Sequence, residues 1–536
     1  MTDAGTPPRS SAATPAGGTT AAAVPQRQAE IEVKLEAAAD FVLPSLDHVP
    51  GVGHCAEPQR YSLDAVYFDT DRLDLLAARV TLRRRTGGGD AGWHLKLPGG
   101  HGARTEVTLG LDASDSDRQV PAALTTLIRG AVRDRGLSPV ARLRTDRTVV
   151  RLHNEAGLPL VEVADDHVRA GAADLDVTGD AGDARDHTWR ELEVEILQGS
   201  RADLDQTSRA LLRAGARRSR SASKLGRALG AAGRQPSRPA GLDGYSRRSV
   251  AADVVRAHLE HQRRDVIAAD LDLRLDTAGA AARAHTAVRR LRSTLAVFGE
   301  LVGSDTRDDL RRALRRFDRL LTAVDQVDVL AERIRVGLAE EPAALAAPAA
   351  VEAAAVLGVR RDLARRGLAD WLASDASIGM LVLIDRLLDS GGAADLSLTA
   401  ERALPPLLAA SWRRTGRRVT EALAEPEDTD RMRRARKACR HTRHGAELAG
   451  IAFGADAVVF AAAVEQVEEA VADRQNAVGC ADLLLELSVD PRASGRIGFV
   501  WGRLHSFELA TAAEAVDELT DAWSRAKDTA PLRWFR

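Results

Sequence analysis

The stretch WRELEVEIL places Glu191, Glu193 and Glu195 at alternate positions, opposed to Leu192, Val194 and Ile196. AEIEVKLEA does the same with Glu30, Glu32 and Lys34 against Ile31, Val33 and Leu35. Period-two spacing puts the charges of each strand on one face and the apolar residues on the other. The pattern recurs: Arg83 and Arg85 share a parity, as do His94 and Lys96, Arg104 and Glu106, and Glu162 and Asp166. A solvated outer face accounts for any one such strand. Five or six of them, acid-rich at both ends of the series and basic in the middle, call for more. Three glutamates on one strand face repel unless a cation sits among them. A closed barrel would aim all these faces at one lumen. That lumen would hold carboxylates suited to Mg²⁺ or Mn²⁺ beside arginines and lysines suited to phosphate. The chemistry implied is a polyanionic phosphate chain held together with a divalent metal.

The elements that must position these residues are short. VTLRRR, GWHLKLP, RTEVTLG, TVVRL and LPLVEVADDHV read as strands, punctuated by TGGGDAG and PGGHG as hairpin loops. Helices are expected at 121–135 and 202–214. Residues 1–28, rich in Ala, Thr, Gly, Pro and Ser, read as a disordered tail. GAAGRQPSRPAGLDGY marks a linker over 230–246. Beyond it strand signals vanish, and 247–338, 352–390, 399–424, 428–450, 456–487 and 497–527 carry helical spacing. AEEPAALAAPAAVE reads as a break in that series. The fold class expected is α+β in two domains: an antiparallel β-barrel over 29–229 and an all-α helical bundle over 247–530.

The 536 residues exceed what one core usually serves, and the formal charge of -2 by itself suggests neither a nucleic-acid nor a membrane partner. Three separated cysteines, Cys55, Cys439 and Cys480, imply no disulfide framework or zinc site and fit a reducing cytoplasm. Reading along the chain finds no run of about 18 apolar residues and no signal-peptide layout at the N-terminus, so no membrane span is expected.

EIEVK resembles the ExExK signature of the CYTH superfamily, the triphosphate tunnel metalloenzymes. The resemblance extends in order through YFDT (Tyr67–Thr70), LRRR (Leu82–Arg85), LKLP, RTE, ADD, ELEVE and SKLGRAL (Ser223–Leu229). It implies a tunnel in which Glu30, Glu32, Glu191, Glu193 and Glu195 hold Mg²⁺ or Mn²⁺. Lys34, Arg83, Arg85, Lys96, Arg147 and Lys224 would grip the triphosphate, and Glu106, Glu162 and Asp166 would be further tunnel acids. Asp165 competes with Asp166, whose parity agrees with Glu162; RLRTDRTVVR offers four arginines for the place given to Arg147. The activity implied is hydrolysis of a triphosphate, with inorganic tripolyphosphate cleaved to pyrophosphate and phosphate as the leading case. The alternatives are a non-catalytic polyphosphate-binding or targeting protein and, further off, a class IV-type adenylate cyclase.

In the second half, RAHTAVRRLRSTLAVF and RMRRARKACRHTRHGAEL resemble the two signatures of the CHAD domain, a helical partner that binds inorganic polyphosphate. The retained basic residues are Arg289, Arg290, Arg292, Arg434, Arg436, Lys437, Arg440 and Arg443, expected to stack along one face. Ala282, His285, Arg433 and the pair Asp325–Gln326 depart from the pattern. No aromatic platform accompanies the basic residues, which disfavours nucleic acid as the partner. The expected location is the cytoplasm, in association with polyphosphate granules.

Overall fold

Among the described residues, eleven strands build the first half of the chain: β1 (Gln26–Glu30), β2 (Glu32–Ala37), β3 (His54–Cys55), β4 (Gln59–Asp69), β5 (Thr81–Thr86), β6 (Gly92–Pro98), β7 (Arg104–Leu109), β8 (Ser138–His153), β9 (Pro159–Gly171), β10 (His187–Ile196) and β11 (Arg217–Arg218). All pairings are antiparallel, in the order β1-β7-β6-β5-β4-β8-β9-β10-β2-β11, with β3 beside β8. β1 stands at one end of this path and β2 near the other, yet only Ile31 separates them in the chain. One extended segment, 26–37, therefore joins both sides of the sheet and closes it into a barrel, and Ile196 N–H donates to the Ile31 carbonyl at the junction. The computed structural model describes residues 25–99, 103–114, 116–171, 187–236, 241–302, 306–390, 398–489 and 494–528. The expected tail lies outside these up to residue 24, and β1 opens at Gln26, inside the expected bound.

Local chemistry sets the turns. Gly87 and Gly88 take φ of 81° and 74° at the β5–β6 hairpin. A Cβ on Gly87 would lie 2.1 Å from the Ser62 carbonyl oxygen, so no other residue fits there. In YFDT, buried Asp69 accepts from the N–H groups of Thr70, Leu75 and Leu76 at 2.7, 2.9 and 3.0 Å. That motif residue organises the short helix α1 (Asp74–Ala77) rather than the lumen. Helices α2 (Ala122–Val132), α3 (Arg201–Arg213) and α4 (Lys224–Ala231) complete this half. Outward apolar residues of β2, β8, β9 and β10 pack with Leu204 and Leu211 of α3 in one core.

The second half is helical: α5 (Ala251–Arg274), α6 (Ala280–Val297), α7 (Arg307–Ala339), α8 (Ala343–Ala373), α9 (Asp375–Asp389), α10 (Ala400–Ala424), α11 (Thr429–Phe453), α12 (Ala455–Ser488) and α13 (Gly495–Asp528). Two expectations need correcting. AEEPAALAAPAAVE interrupts the helices only at Glu340–Pro342; α8 runs on through Pro348. Alanine has the highest helix propensity, and a proline close to a helix start loses few backbone bonds. The same helix holds an 18-residue window of mean hydropathy 1.5 with at most two charges, of which 17% is buried. By length and composition alone, one helix of the described chain is therefore apolar enough to cross a membrane.

The chain divides into two compact units, 1–124 with 137–235, and 125–136 with 236–536. Residues 125–136, which include most of α2, belong to the helical unit: Arg133 makes a two-pronged bond to Asp385 at 2.7 and 3.0 Å.

Candidate functional site: a charged barrel lumen and a basic helical cleft

Strand register arranges the lumen in rows. In one row Glu36, Glu191, Asp166 and Arg147 follow each other across β2, β10, β9 and β8. In another, Lys34 faces Glu193. In a third, Glu32, Glu195 and Glu162 lie side by side, and Arg151 follows on β8. The row with Asp166 and Glu191, together with Glu193, is a closed ion-pair knot. Lys224 Nζ reaches Asp166 at 3.0 Å, Glu191 at 2.7 Å and Glu193 at 2.6 Å. Arg147 bonds both oxygens of Asp166 at 2.7 Å and Glu193 at 2.7 Å. Lys34 also donates to Glu193, and Trp189 Nε1 donates to Glu191 at 2.6 Å. Lys224 arrives because Ser223 caps α4, its Oγ accepting from Gly226 N–H at 3.0 Å. The surrounding cations hold the Asp166 and Glu193 carboxyls below the usual range despite their burial.

Asp165 points the other way, to Arg190 at 2.7 Å, so Asp166 is the lumen acid. Of the four candidate arginines, Arg142 pairs with Asp64 at 2.7 Å, Arg144 lies 3.6 Å from Asp64, and Arg151 binds Glu162 at 2.9 Å. Only Arg147 joins the knot.

On the facing strands, Lys96 donates to Glu30 at 2.7 Å and lies 3.7 Å from Glu106. His94, buried, places Nδ1 at 3.0 Å from Glu106 and Nε2 at 2.9 Å from the Asp90 carbonyl. Arg85 pairs with Asp90, and Arg83 reaches the Tyr67 hydroxyl at 3.4 Å. The Nε atoms of both arginines are buried without a hydrogen-bond partner, an incompleteness that native sites normally resolve with a ligand or water. Burial, with the Arg83 and Arg147 charges, lowers the Arg85 pKa to about 9. Asp90 and Trp189, which orient these side chains, carried no signal in the sequence beyond proximity to the motifs, while Tyr67 opens the YFDT motif without its contact to Arg83 being legible there.

The third row is different. Glu195 is flanked by Glu32 and Glu162 and, among the described residues, has no cation within ion-pair distance. Burial, with the neighbouring Glu32, Glu162 and Glu193 charges, raises its pKa to about 7 against the Lys96 attraction. Glu30 is likewise raised to about 7, chiefly by burial. Both folded values exceed the ordinary 4.5, so the native state binds more protons than the unfolded chain between those pH values. Their contribution to stability must then fall as pH rises through that window. The depressed carboxyls, Glu106, Asp166 and Glu193, are fully ionised in both states there and add no slope. Four histidines, His94, His258, His441 and His444, are lowered to between about 2 and 4 by burial and nearby cations and add stability as pH rises towards 6.5. The acids are therefore read by difference: metal-free wild type is expected to lose roughly 1–3 kcal/mol between pH 5 and pH 8 relative to a Glu30→Gln, Glu195→Gln double variant. Parallel profiles for wild type and that variant would contradict this account of Glu30 and Glu195.

The donor set fits a hard divalent cation. The carboxylate oxygens of Asp166, Glu191 and Glu193 approach within 4.8 Å of one another but are held by Lys224 and Arg147. Among the described residues, Glu195 by contrast stands without a cation between Glu32, 3.3 Å from Lys34, and Glu162, 2.9 Å from Arg151. Oxygen donors at this density are what Mg²⁺ and Mn²⁺ require.

The helical half splits the expected basic face in two. Arg434, Lys437 and His441 of α11 join Arg292 of α6, Arg311 and Arg315 of α7, and Arg414 and Arg418 of α10 around a cleft of about 390 Å³. Arg436, Arg440 and Arg443 turn instead towards α12. Arg436 bonds Gln475 at 3.2 Å, and Arg440 and Arg443 each bond buried Glu468 at 2.8 Å. Arg443 also pairs with Glu447 and Glu465. Arg290 lies 3.6 Å from Glu447 and Arg289 4.0 Å from Asp318. So the eight signature cations do not share one face: three line the cleft and five do not. A 100° advance per residue separates 434, 437 and 441 from 436, 440 and 443. The cleft residues missed were legible as the arginine pairs in RRALRRFDR and SWRRTGRR. Arg315, Arg414, Arg434 and Lys437 have no ion-pair partner among the described residues. The departures from the signature also meet: buried His285 lies 3.2 Å from Asp325 and 3.5 Å from Asp318.

Comparison with known proteins agrees with this division. The CYTH domain model matches residues 28–228 and the CHAD domain model residues 257–485. The uncharacterized protein Rv2226 of Mycobacterium tuberculosis is 31% identical over 523 residues, 94% of this chain and 98% of that one. PptA from Streptomyces chartreusis aligns with 52% of this chain and 100% of its own at 18% identity and a TM-score of 0.43. The CHAD domain from Ricinus communis aligns with 53% and 95% at 16% identity and a TM-score of 0.41. HpAC1 from Hippeastrum, described as a putative adenylyl cyclase with a dominant triphosphatase activity, aligns with 38% and 97% at 16% identity and a TM-score of 0.22. The chain belongs to the CYTH family, typically triphosphate-hydrolysing metalloenzymes, and carries a CHAD domain behind its CYTH domain.

Proposed function

We propose that the barrel hydrolyses a triphosphate, most simply inorganic tripolyphosphate to pyrophosphate and phosphate, with Mg²⁺ or Mn²⁺, and that the helical unit binds polyphosphate or a similar polyanion. The observation carrying the first part is the asymmetry of the lumen. One set of lumen side chains is cationic and drawn from both walls, Lys34, Arg147 and Lys224 on one and Arg83, Arg85 and Lys96 on the other, with the buried Nε donors of Arg83 and Arg85 left unpaired. The other set offers Glu195 between two acids. The metal would be held by Glu30, Glu32 and Glu195, with Glu162 and Glu193 at the edge of the set. Glu191 and Asp166 serve instead to fix Lys224 and Arg147. When bound, the metal neutralises phosphate charge and orients the attacking water. The chain's own cations bind the phosphoryl oxygens and stabilise the charge that builds on them in the transition state. Lys34, Arg147 and Lys224, anchored to Asp166, Glu191 and Glu193, are preorganised donors, so little reorganisation accompanies reaction. No side-chain nucleophile is required.

The test is phosphate release from tripolyphosphate, thiamine triphosphate, nucleoside triphosphates and long polyphosphate, with each metal and with EDTA, alongside an assay for cyclic AMP. Metal-dependent release from a short triphosphate, abolished by EDTA, is the expected result. Formation of cyclic AMP from ATP without phosphate release would overturn it. Divalent metal should also raise the unfolding midpoint of wild type at pH 8 more than that of Glu195→Gln. Association with polyphosphate granules would follow from the helical cleft.

A further inference from the structure

Of the side chains that line the cleft between α6, α7, α10 and α11, every polar one except His441 belongs to an arginine or a lysine. Those groups donate hydrogen bonds and accept none. His441 is different. Its Nδ1 lies 3.0 Å from Ser293 Oγ, and Nδ1 of buried His444 lies 3.1 Å from the same oxygen. Ser293 gives its one proton to the Arg289 carbonyl, 2.8 Å away and one turn back in α6. The proton assignment that satisfies all three contacts makes both Nδ1 atoms donors. The lone pair of His441 is then on Nε2, which has no hydrogen-bond partner among the described residues. With Nδ1 turned to Ser293, Nε2 is left for the cleft. Burial and the charges of Lys437, Arg292, Arg440 and Arg414 hold the ring at a pKa of about 3, so it adds no positive charge. The cleft thus presents one neutral acceptor among cationic donors.

That combination selects among phosphate oxygens. Each interior phosphate of a linear polyphosphate has one strongly acidic group and is ionised near neutral pH, so its free oxygens bring lone pairs only. A terminal phosphate has a second, weaker acid with a pKa of about 6, as in a phosphate monoester, and can still carry a P–O–H. An ionised oxygen set against Nε2 meets lone pair with lone pair and leaves the acceptor unsatisfied. A P–O–H donates to it, and the proton, shared between oxygen and nitrogen, is retained although the cations favour ionised oxygens. We propose that the cleft is built for the end of a polyphosphate chain. The terminal P–O–H donates to His441 Nε2, while Arg315, Arg414, Arg434 and Lys437 take the ionised oxygens of that phosphate and its neighbour. Ser293 is a positioning residue: as acceptor for Nδ1–H it fixes the tautomer that leaves Nε2 bare. The inference rests on the reading of the helical unit as polyanion-binding and names which part of the polyanion it takes.

Isothermal titration of the full chain carrying Glu195→Gln, with EDTA to stop hydrolysis, tests this. It compares a short linear polyphosphate with the same chain methyl-esterified at both ends. Binding that survives Arg414→Glu with Lys437→Glu belongs elsewhere in the molecule and sets the baseline. Capping should weaken binding about tenfold more in the parent than in His441→Leu, the worth of one hydrogen bond. Subtracting the His441→Leu value removes the charge that the caps also take away. His441→Gln, whose amide oxygen accepts, should keep part of the preference. His441→Lys should lose it and bind the capped chain more tightly than the parent does. Nitrogen NMR of histidine-labelled parent protein gives a readout independent of these variants: bound His441 should remain a neutral Nδ1–H imidazole with its Nε2 signal shifted. Equal losses on capping in the parent and in His441→Leu, or an imidazolium signature for bound His441, would overturn the proposal and leave the cleft a general anion site. No binding above the baseline to either ligand would overturn it together with the polyanion reading.

Discussion

Glu195→Gln should cost the enzyme most of its metal-dependent turnover while leaving the fold at least as stable as wild type. Glu195 stands between Glu32 and Glu162 in register, is buried, and has no paired cation among the described residues. Its ionised form is therefore held at a cost that only a ligand could justify. Removing the charge relieves repulsion, so the midpoint of unfolding at pH 8 should rise or stay level. If the carboxylate secures metal charge at the reacting phosphate, turnover should fall by roughly 10³-fold, about 4 kcal/mol of transition-state stabilisation. Glu193→Gln makes the opposite case. That carboxylate accepts from Lys34, Arg147 and Lys224, so its loss leaves three crowded cations and should lower stability by about 3–5 kcal/mol. Steady-state phosphate release and thermal unfolding of both variants decide the matter. Normal turnover by folded Glu195→Gln would remove the proposed metal set.

The lumen was legible because a strand has a period of two. Once Glu30, Glu32, Glu191, Glu193 and Glu195 shared parities with apolar residues opposite, barrel closure alone fixed which way they faced. The same rule separated Asp166 from Asp165. What parity could not supply was pairing across the lumen. Nothing in SKLGRAL says that Lys224 meets three carboxylates, because that contact depends on where α4 returns to the sheet. Nor does alternation reveal that Glu195 lacks a partner while Glu193 has three. In the helical half the difficulty is angular. Basic residues at nearly every position from 433 to 443 look like one stripe, but a helix turns them onto different neighbours. Only the partner helix, through Glu468, tells neutralised from available charge. α8 misled for a related reason: alanine and proline together read as a break, while alanine propensity carries the helix through.

The sharpest consequence of that angular split concerns polyphosphate. Reversing Arg414 and Lys437 to glutamate should abolish binding, although Arg414 lies outside both signature segments. Reversing Arg436 should matter far less, because it faces Gln475 rather than the cleft. Lys437 repels Arg292, Arg315 and Arg440 and has its pKa lowered by burial and these neighbours. Burial and the surrounding cations push His441 down to about 3, so it is neutral and leaves room for an anion among the arginines. A multiply charged ligand would relieve this repulsion, and each charge-assisted bond to it contributes about 1.5–3 kcal/mol. Two reversals should then weaken binding by at least about 100-fold, roughly 3 kcal/mol. Arg440→Ala should leave affinity nearly unchanged while lowering stability, since it strips a cation from buried Glu468. The titration belongs on the full chain carrying Glu195→Gln, because a fragment starting at residue 247 would lack the 125–136 segment that packs with the helical unit. Binding should fade as salt rises, with a screening length of about 8 Å at physiological ionic strength. A flat titration of the parent chain at low salt would show that this helical unit kept its fold and lost its ligand. Equal losses from the Arg440 and Lys437 variants would place the anion across α11 rather than in the cleft.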